Sequence, residues 1–347
     1  MNINHHRISV VLPTFNERQN IETITCKLLS LQDLHQLEIL FVDDDSADGT
    51  ADAILALAQQ HPCIRLIRRV DRHGLSSAIK EGILDATGDV VVVMDSDGQH
   101  DPDAVASTVA TLLQHDLDLV VGSRFHPGAR IQGLSAERER NSTWANAAAR
   151  FSLPRYRQLS DYMSGFFALR PARCLPFVRQ VDVNGFKFLY ELLALSRGQL
   201  RIGEVPLQFQ PRISGESKLN LAVVWDLGIS ILHTLLLRSV PRRALSFGLV
   251  GATGIVTHLL LFSLGRHLLG LGFEQAQILA VVCAASTNFL INNVLTFRTQ
   301  QLKGFRLVVG LIRFLMVTSL GMVANVGVSS AFYHRISHQP LLALLAG

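Results

Sequence analysis

Two aspartates one residue apart, Asp95 and Asp97, close the apolar run in Val90-Val-Val-Val-Met-Asp-Ser-Asp-Gly-Gln-His100. Alternate side chains of an extended chain point the same way, so both carboxylates offer hard oxygen ligands to one divalent cation. A cation held by two residues keeps positions for a substrate's phosphates, and the ligand this implies is a nucleotide diphosphate. An isolated Asp-x-Asp is usually an acidic turn after a buried strand. This pair has company: Pro13-Thr-Phe-Asn-Glu17 and Asp43-Asp-Asp-Ser-Ala-Asp-Gly-Thr50 also follow short apolar runs.

The elements that must position these groups follow from periodicity. Residues 8–13, 37–42, 64–68 and 90–94 read as buried strands, and 20–31, 51–60 and 75–87 as helices. Alternating strand and helix predicts a mainly parallel sheet covered on both faces, with ligands outside the carboxyl ends of the strands. The three polar loops at 13–17, 43–48 and 95–99 all fall there. No Gly-x-Gly-x-x-Gly follows the first strand and no Walker lysine motif is present, so acidic loops and a metal take the place of a glycine-rich phosphate cradle.

The 347-residue chain has a net charge of +4 and a positive mean hydropathy of +0.28. The apolar excess lies in the C-terminal third, which predicts a catalytic module followed by a membrane module. Cys26, Cys63, Cys174 and Cys283 have neither metal-type nor disulfide-framework spacing, and no secretory signal precedes the first strand, so the catalytic module is expected in the cytoplasm. Basic residues are dispersed or lie beside apolar spans, which points to membrane lipids and away from nucleic acid.

Six ordered motifs carry a resemblance. The two loops above, Asp95-Ser-Asp-Gly-Gln-His100, Gly122-Ser-Arg-Phe125, Asp161-Tyr-Met-Ser-Gly-Phe-Phe167 and Arg212-Ile-Ser-Gly-Glu-Ser-Lys-Leu219 resemble family 2 glycosyltransferases of the dolichol-phosphate mannosyltransferase type. The resemblance implies an α/β GT-A, Rossmann-like fold and sugar transfer from a nucleotide diphosphate to a lipid phosphate. It makes Pro13, Phe15, Glu17, Asp43 and Asp44 nucleotide contacts, with Phe15 where tyrosine is usual. Asp95, Asp97 and Gln99 would hold Mg2+ or Mn2+ at the donor phosphates, with Ser96 replacing the common alanine. Arg124, and Arg138 with Ser142, match positions that hold the acceptor phosphate, a task suited to the planar guanidinium fork. Arg212 and Lys218 match a loop that closes over the donor diphosphate, and could also touch anionic lipid. Asp161 either orients phosphate- or sugar-binding side chains or caps its own turn. GDP-mannose is the expected donor and a polyprenyl or dolichyl phosphate the acceptor, with UDP-glucose as the alternative donor.

Beyond residue 219 the pattern changes. Residues 221–237 are apolar with a polar stripe of Asp226, Ser230, His233, Thr234 and Arg238, which reads as an interfacial amphipathic helix with Trp225 at headgroup depth. Three uncharged stretches, 244–265, 275–297 and 314–334, each suffice to cross about 30 Å of hydrocarbon. The expected domains are therefore 1–219, a linker helix in 220–241 and a transmembrane domain in 242–347. Gly248, Gly251, Ala252 and Gly254 offer close helix packing, and Asn288, Asn292 and Asn293 should pair within the membrane or bind a lipid headgroup. Asn288-Phe-Leu-Ile-Asn-Asn-Val-Leu-Thr-Phe-Arg298 looks like GtrA-type membrane proteins, although 341–347 is too short for their fourth span. An inactive lipid-sugar flippase or scaffold is the alternative in another class. A processive synthase is disfavoured because its Gln-x-x-Arg-Trp motif is absent.

Overall fold

The computed structural model describes residues 6–31, 36–131, 136–183, 187–209, 221–236, 238–297, 300–336 and 338–346, without side chains at 131, 136–139, 221–223, 341 and 345. The chain divides into two compact units, residues 1–235 and 236–347.

The first unit runs β1 (Arg7–Thr14), α1 (Arg18–Leu29), β2 (Gln36–Asp43), α2 (Thr50–Gln60), β3 (Ile64–Arg68), α3 (Leu75–Asp85), β4 (Val90–Val93), α4 (Ala104–Gln114), β5 (Leu119–Ser123), β6 (Arg130–Ile131), α5 (Ala136–Ser152), β7 (Phe167–Leu169), α6 (Pro171–Val178), α7 (Phe188–Ser196), β8 (Ile202–Pro206), β9 (Gln208–Phe209) and α8 (Leu221–Leu235). Seven strands form one sheet in the order β3-β2-β1-β4-β7-β5-β8. All neighbours are parallel except β7, which is antiparallel to both β4 and β5. The central strands are buried on both faces, as their unbroken runs of valine, leucine and isoleucine require. One apolar cluster includes Val11, Leu40, Val91 and Val121, the other Val10, Ile39, Val92 and Val120. Alternate residues of the same strands thus feed opposite layers.

Strand order places the fold's ligand crevice. Successive strands run outward from β1 to β3 on one side, and the chain then returns to β4 on the other, so the carboxyl ends of β1 and β4 flank a topological switch point. The antiparallel β7 was not expected from the sequence. Because it runs the opposite way, the loop entering it, 161–166, lies at the carboxyl ends of β4 and β5.

Helix α8 packs on the first unit's core through part of its surface. Ser230 and His233 of its polar stripe are buried, Leu227 and Ile231 pack on the core, and Val224 and Leu235 are exposed. The apolar side chains of α8 are thus divided between the core and the exposed surface.

The second unit contains α9 (Arg242–His267), α10 (Phe273–Leu295), α11 (Phe305–Arg335) and the short α12 (Pro340–Ala346). The first three are long and apolar enough to cross a membrane, and the protein is a membrane protein. Polar side chains tie them together: His258 bonds to Gln277 at 3.1 Å, and the Gln277 amide donates to Asn325 at 3.0 Å and Ser329 at 3.2 Å. Asn293 clasps both backbone groups of Leu302, and Thr296 links Asn292 to Ser246. Of the three glycines in the expected small-residue stripe, Gly254 meets a close neighbour: a Cβ there would strike the Asn288 amide, whereas Gly248 and Gly251 have nothing within 4 Å.

Candidate active site

The loop after β1 is clasped to the loop after β2. Asn16 accepts from the Ala47 amide on its side-chain oxygen and donates its own N–H to the Ser46 hydroxyl, while Thr50 accepts from the Glu17 N–H at 3.0 Å. Asn16 takes a positive φ of 58°, a conformation asparagine tolerates. Glu17 in turn accepts from Asn20 at 2.7 Å. Phe15 is left projecting, 56% exposed, with its ring edge-on to His73 at 6.0 Å. Pro13 is buried, and its carbonyl accepts the Ser96 hydroxyl at 2.8 Å, which ties the first strand end to the metal-type motif.

Asp43 and Asp44 are both buried, with different duties. Asp43 accepts from the Ser46 N–H and hydroxyl and from Thr14. Asp44 accepts the Gly74 N–H at 2.6 Å and a hydrogen bond from Arg69, so it is directed into the loop after β3. Arg69, 2% exposed, also reaches Glu81 and Ser77. Sequence reading missed it, although an arginine immediately beyond a parallel strand's carboxyl end is a local signal that could have been taken up.

At the end of β4, Asp95 and Asp97 stand with Gln99, whose N–H donates to Asp97 Oδ1 at 3.1 Å. The Asp95 side chain is one-third exposed. Its backbone N–H donates to His100 Nδ1 at 3.0 Å. That nitrogen is therefore an acceptor, and burial holds the imidazole neutral against the raising influence of Asp95 and Asp97. His100 lies between the edges of Phe166 and Phe209, at 5.6 and 5.7 Å, and is a core residue that sets the Asp95 backbone. Gly165 backs the Asp95 carboxylate so closely that a Cβ would come 2.5 Å from Oδ2. Among the described residues no three His, Cys, Asp or Glu side chains form a closed metal cage. Two carboxylates and an amide are all-oxygen ligands, which fit magnesium or manganese with coordination positions shared with a substrate.

The end of β5 supplies Arg124. Its guanidinium forks onto Asp161, Nε to Oδ2 at 2.8 Å and Nη2 to Oδ1 at 3.1 Å, and it lies 5.6 Å from the Phe209 ring centre. Asp161 is fully buried; burial would raise its carboxyl, but the Arg124 charge and hydrogen bonds bring it below the usual range. Asp161 also accepts from the Met163 N–H at 3.2 Å, so both expected roles, orienting an arginine and capping a turn, are combined. Glu204 on β8 accepts from the Ser160 and Asp161 N–H groups at 2.7 and 3.1 Å and anchors the loop. Phe166 and Phe167 are core residues.

One further cation, absent from the sequence reading, belongs here. Lys187 precedes α7 and donates from Nζ to the Met163 carbonyl at 3.3 Å. Burial, and then the Arg124 charge, pull its ammonium down to about 8, while Asp95 and Asp161 act in the opposite direction. Ser142 is half-buried on α5. The Arg138 side chain, and Arg212 and Lys218 altogether, lie outside what is described.

The profile described as "Glycosyl transferase family 2" matches residues 9–171, and the one described as "GtrA/DPMS, transmembrane domain" matches 246–347. The chain is 35% identical to a dolichol-phosphate mannosyltransferase of Pyrococcus furiosus, over 84% of this chain and 81% of that one. It is 37% identical to the Saccharomyces cerevisiae dolichol-phosphate mannosyltransferase over 62% and 82% of the two chains. A Micrococcus luteus undecaprenyl-phosphate mannosyltransferase is 30% identical over 65% and 92%. Among solved structures, Mycobacterium tuberculosis glucosyl-3-phosphoglycerate synthase, crystallised with Mn2+, UDP-glucose and phosphoglyceric acid, aligns with a TM-score of 0.52 at 22% identity, covering 67% of this chain and 80% of that one. The likeness extends to the GT-A fold.

Proposed function

We propose, from the premise that this chain belongs to glycosyltransferase family 2 and carries a GtrA/DPMS-type transmembrane domain, that it transfers a mannosyl residue from GDP-mannose to a polyprenyl or dolichyl phosphate. The observation that carries the reading is a juxtaposition at one crevice. An Asp-x-Asp pair suited to a donor diphosphate and its cation closes β4, and an arginine forked on a buried aspartate closes β5 two strands away. The named activities of the relatives support a mannosyl donor and a lipid-phosphate acceptor.

In this reading Phe15, Glu17 and the Asp43–Asp44 loop border the nucleotide, with Pro13 and Ser96 locking their loops together. Asp95, Asp97 and Gln99 hold magnesium or manganese, as the Mn2+ bound by the fold neighbour supports. When bound, the cation neutralises charge building on the departing nucleotide diphosphate. Arg212 and Lys218 add positive charge over that leaving group. Arg124, with Arg138 and Ser142, grips the acceptor phosphate through charge-assisted hydrogen bonds. A phosphate is already anionic at neutral pH, so its oxygen needs no general base. Positioning opposite the leaving group suffices for attack on the anomeric carbon, which inverts its configuration.

The catalytic unit lies on the cytoplasmic side in this proposal. Arg242 and Arg243 open α9, and Arg298, Lys303 and Arg306 lie between α10 and the body of α11, so the positive-inside rule puts those ends in the cytoplasm.

Radiolabelled GDP-mannose and UDP-glucose, each incubated with a short polyprenyl phosphate and the detergent-solubilised full chain, test the proposal. Mannolipid formation should need manganese or magnesium and fall at least about a hundredfold in Asp97→Ala. Glucolipid alone would replace the donor, and lipid product from neither would overturn the reading.

A further inference from the structure

The loop 161–165 contacts three charged groups in succession. Its first residue, Asp161, forks Arg124; its third, Met163, accepts Lys187 Nζ through the backbone carbonyl; its fifth, Gly165, backs the Asp95 carboxylate. The lysine is therefore tied to the loop that also carries the partner of Arg124 and the support of Asp95, and both of those charges act on it. Its backbone is equally fixed: the next residue, Phe188, stacks parallel on Phe167 of β7 at 6.0 Å. Asp95, Asp161 and Arg124 act on Lys187, and the same three with Asp97 act on the buried His100, so carboxylates and cations are gathered in one place. A divalent ion there would add positive charge, the sign required to receive phosphates.

We infer that Lys187 is a further catalytic residue, whose ammonium contacts the acceptor phosphate beside Arg124 and holds its attacking oxygen toward the donor. The inference rests on the lipid-phosphate reading of the acceptor. Its geometry favours the acceptor over the donor because Lys187 is tied to the same loop, and lies in the same field of charge, as the Arg124–Asp161 pair. A lysine suits this position, since a compact ammonium can follow a phosphate oxygen as it approaches the anomeric carbon, whereas the arginine fork fixes the phosphate's orientation.

Binding of farnesyl phosphate to the full chain in detergent, measured by calorimetry with manganese and no nucleotide sugar, tests this independently of the donor. Lys187→Gln should weaken binding about tenfold to a hundredfold, the loss of one charge-assisted hydrogen bond, with GDP binding within about twofold of wild type. Lys187→Arg should recover part of the loss, and it serves as the second variant should the glutamine protein fold poorly. In turnover with both substrates, the KM for the lipid should rise while that for the nucleotide sugar holds. Unchanged farnesyl phosphate binding in Lys187→Gln, weakening of GDP binding alone, or no farnesyl phosphate binding by wild type would each overturn the inference. Absence of mannose transfer by a wild type that binds the lipid phosphate through Lys187 would instead strike the GDP-mannose reading.

Discussion

An alanine at position 165 would place its Cβ 2.5 Å from Asp95 Oδ2 and 3.0 Å from the carboxyl carbon. The carboxylate gives way more easily than the loop backbone, whose ends are held by Asp161 and by β7. Gly165→Ala should therefore leave the fold intact and raise the manganese concentration for half-maximal transfer by about tenfold or more, as displacing a ligand's support does elsewhere. A metal titration of activity beside a melting curve checks this; an unchanged titration would mean that the Asp95 position is immaterial to metal use. At this scale the sequence was legible wherever chemistry is local. Asp95 and Asp97 announce themselves by their spacing after a strand, and Arg124 by its motif at the end of β5. Lys187 could not be read this way: the partners that give it meaning, Met163, Asp161, Asp95 and Arg124, come from 24 to 92 residues away in the chain and meet only in the fold. Asp44 combines the two cases: its motif is local and legible, whereas its hydrogen bonds from Arg69 and the Gly74 N–H join residues 25 and 30 positions apart and are visible only in the fold.

Elements were legible in proportion to their length. The first four strands and three helices lie within a few residues of their expected bounds, because buried parallel strands are unbroken apolar runs and the intervening helices carry clear periodicity. The three-residue β7 is too short to show any period, and its antiparallel direction comes from tertiary pairing with β4 and β5. The amphipathic pattern of α8 was visible, but which of its residues pack on the core was not, since that depends on partners far away in the chain. The sheet's opposite end yields a separate prediction. Glu38 of β2 is buried opposite Ser9 of β1, accepting from the Ser9 and Thr87 hydroxyls, the Thr87 N–H and Arg65. Burial raises its carboxyl, but the hydrogen bonds outweigh burial and hold it below the usual range. A carboxyl lowered in the folded state stabilises above its unfolded value of about 4.3, and that contribution is lost as pH falls through the folded value. Glu38→Gln should thus cost about 1–3 kcal/mol at pH 7. Its melting temperature should converge on wild type below about pH 4, with both substrate KM values unchanged. A gap between the melting curves that persists at low pH would assign the effect to packing.

For the whole molecule, the consequential question is the side of the membrane on which a nucleotide sugar is met. Three spans between the catalytic unit and α12 leave the α9 amino end and the α10–α11 connection on one side, with Arg242, Arg243, Lys303 and Arg306, and the α9–α10 and α11–α12 connections on the other, with Arg266 and Arg335. The imbalance favours the first side as cytoplasmic. The chain supplies its own reporter: Cys26 is exposed on α1, while Cys174 is buried and Cys283 lies within α10. With the half-buried Cys63 of the same unit replaced by serine, a membrane-impermeant maleimide should leave Cys26 unmodified in intact cells and label it after permeabilisation, with Cys26→Ser as the blank. Labelling before permeabilisation would reverse the orientation, place the donor site on the side where nucleotide sugars are not made, and require the catalytic unit to work on a substrate supplied from across the bilayer.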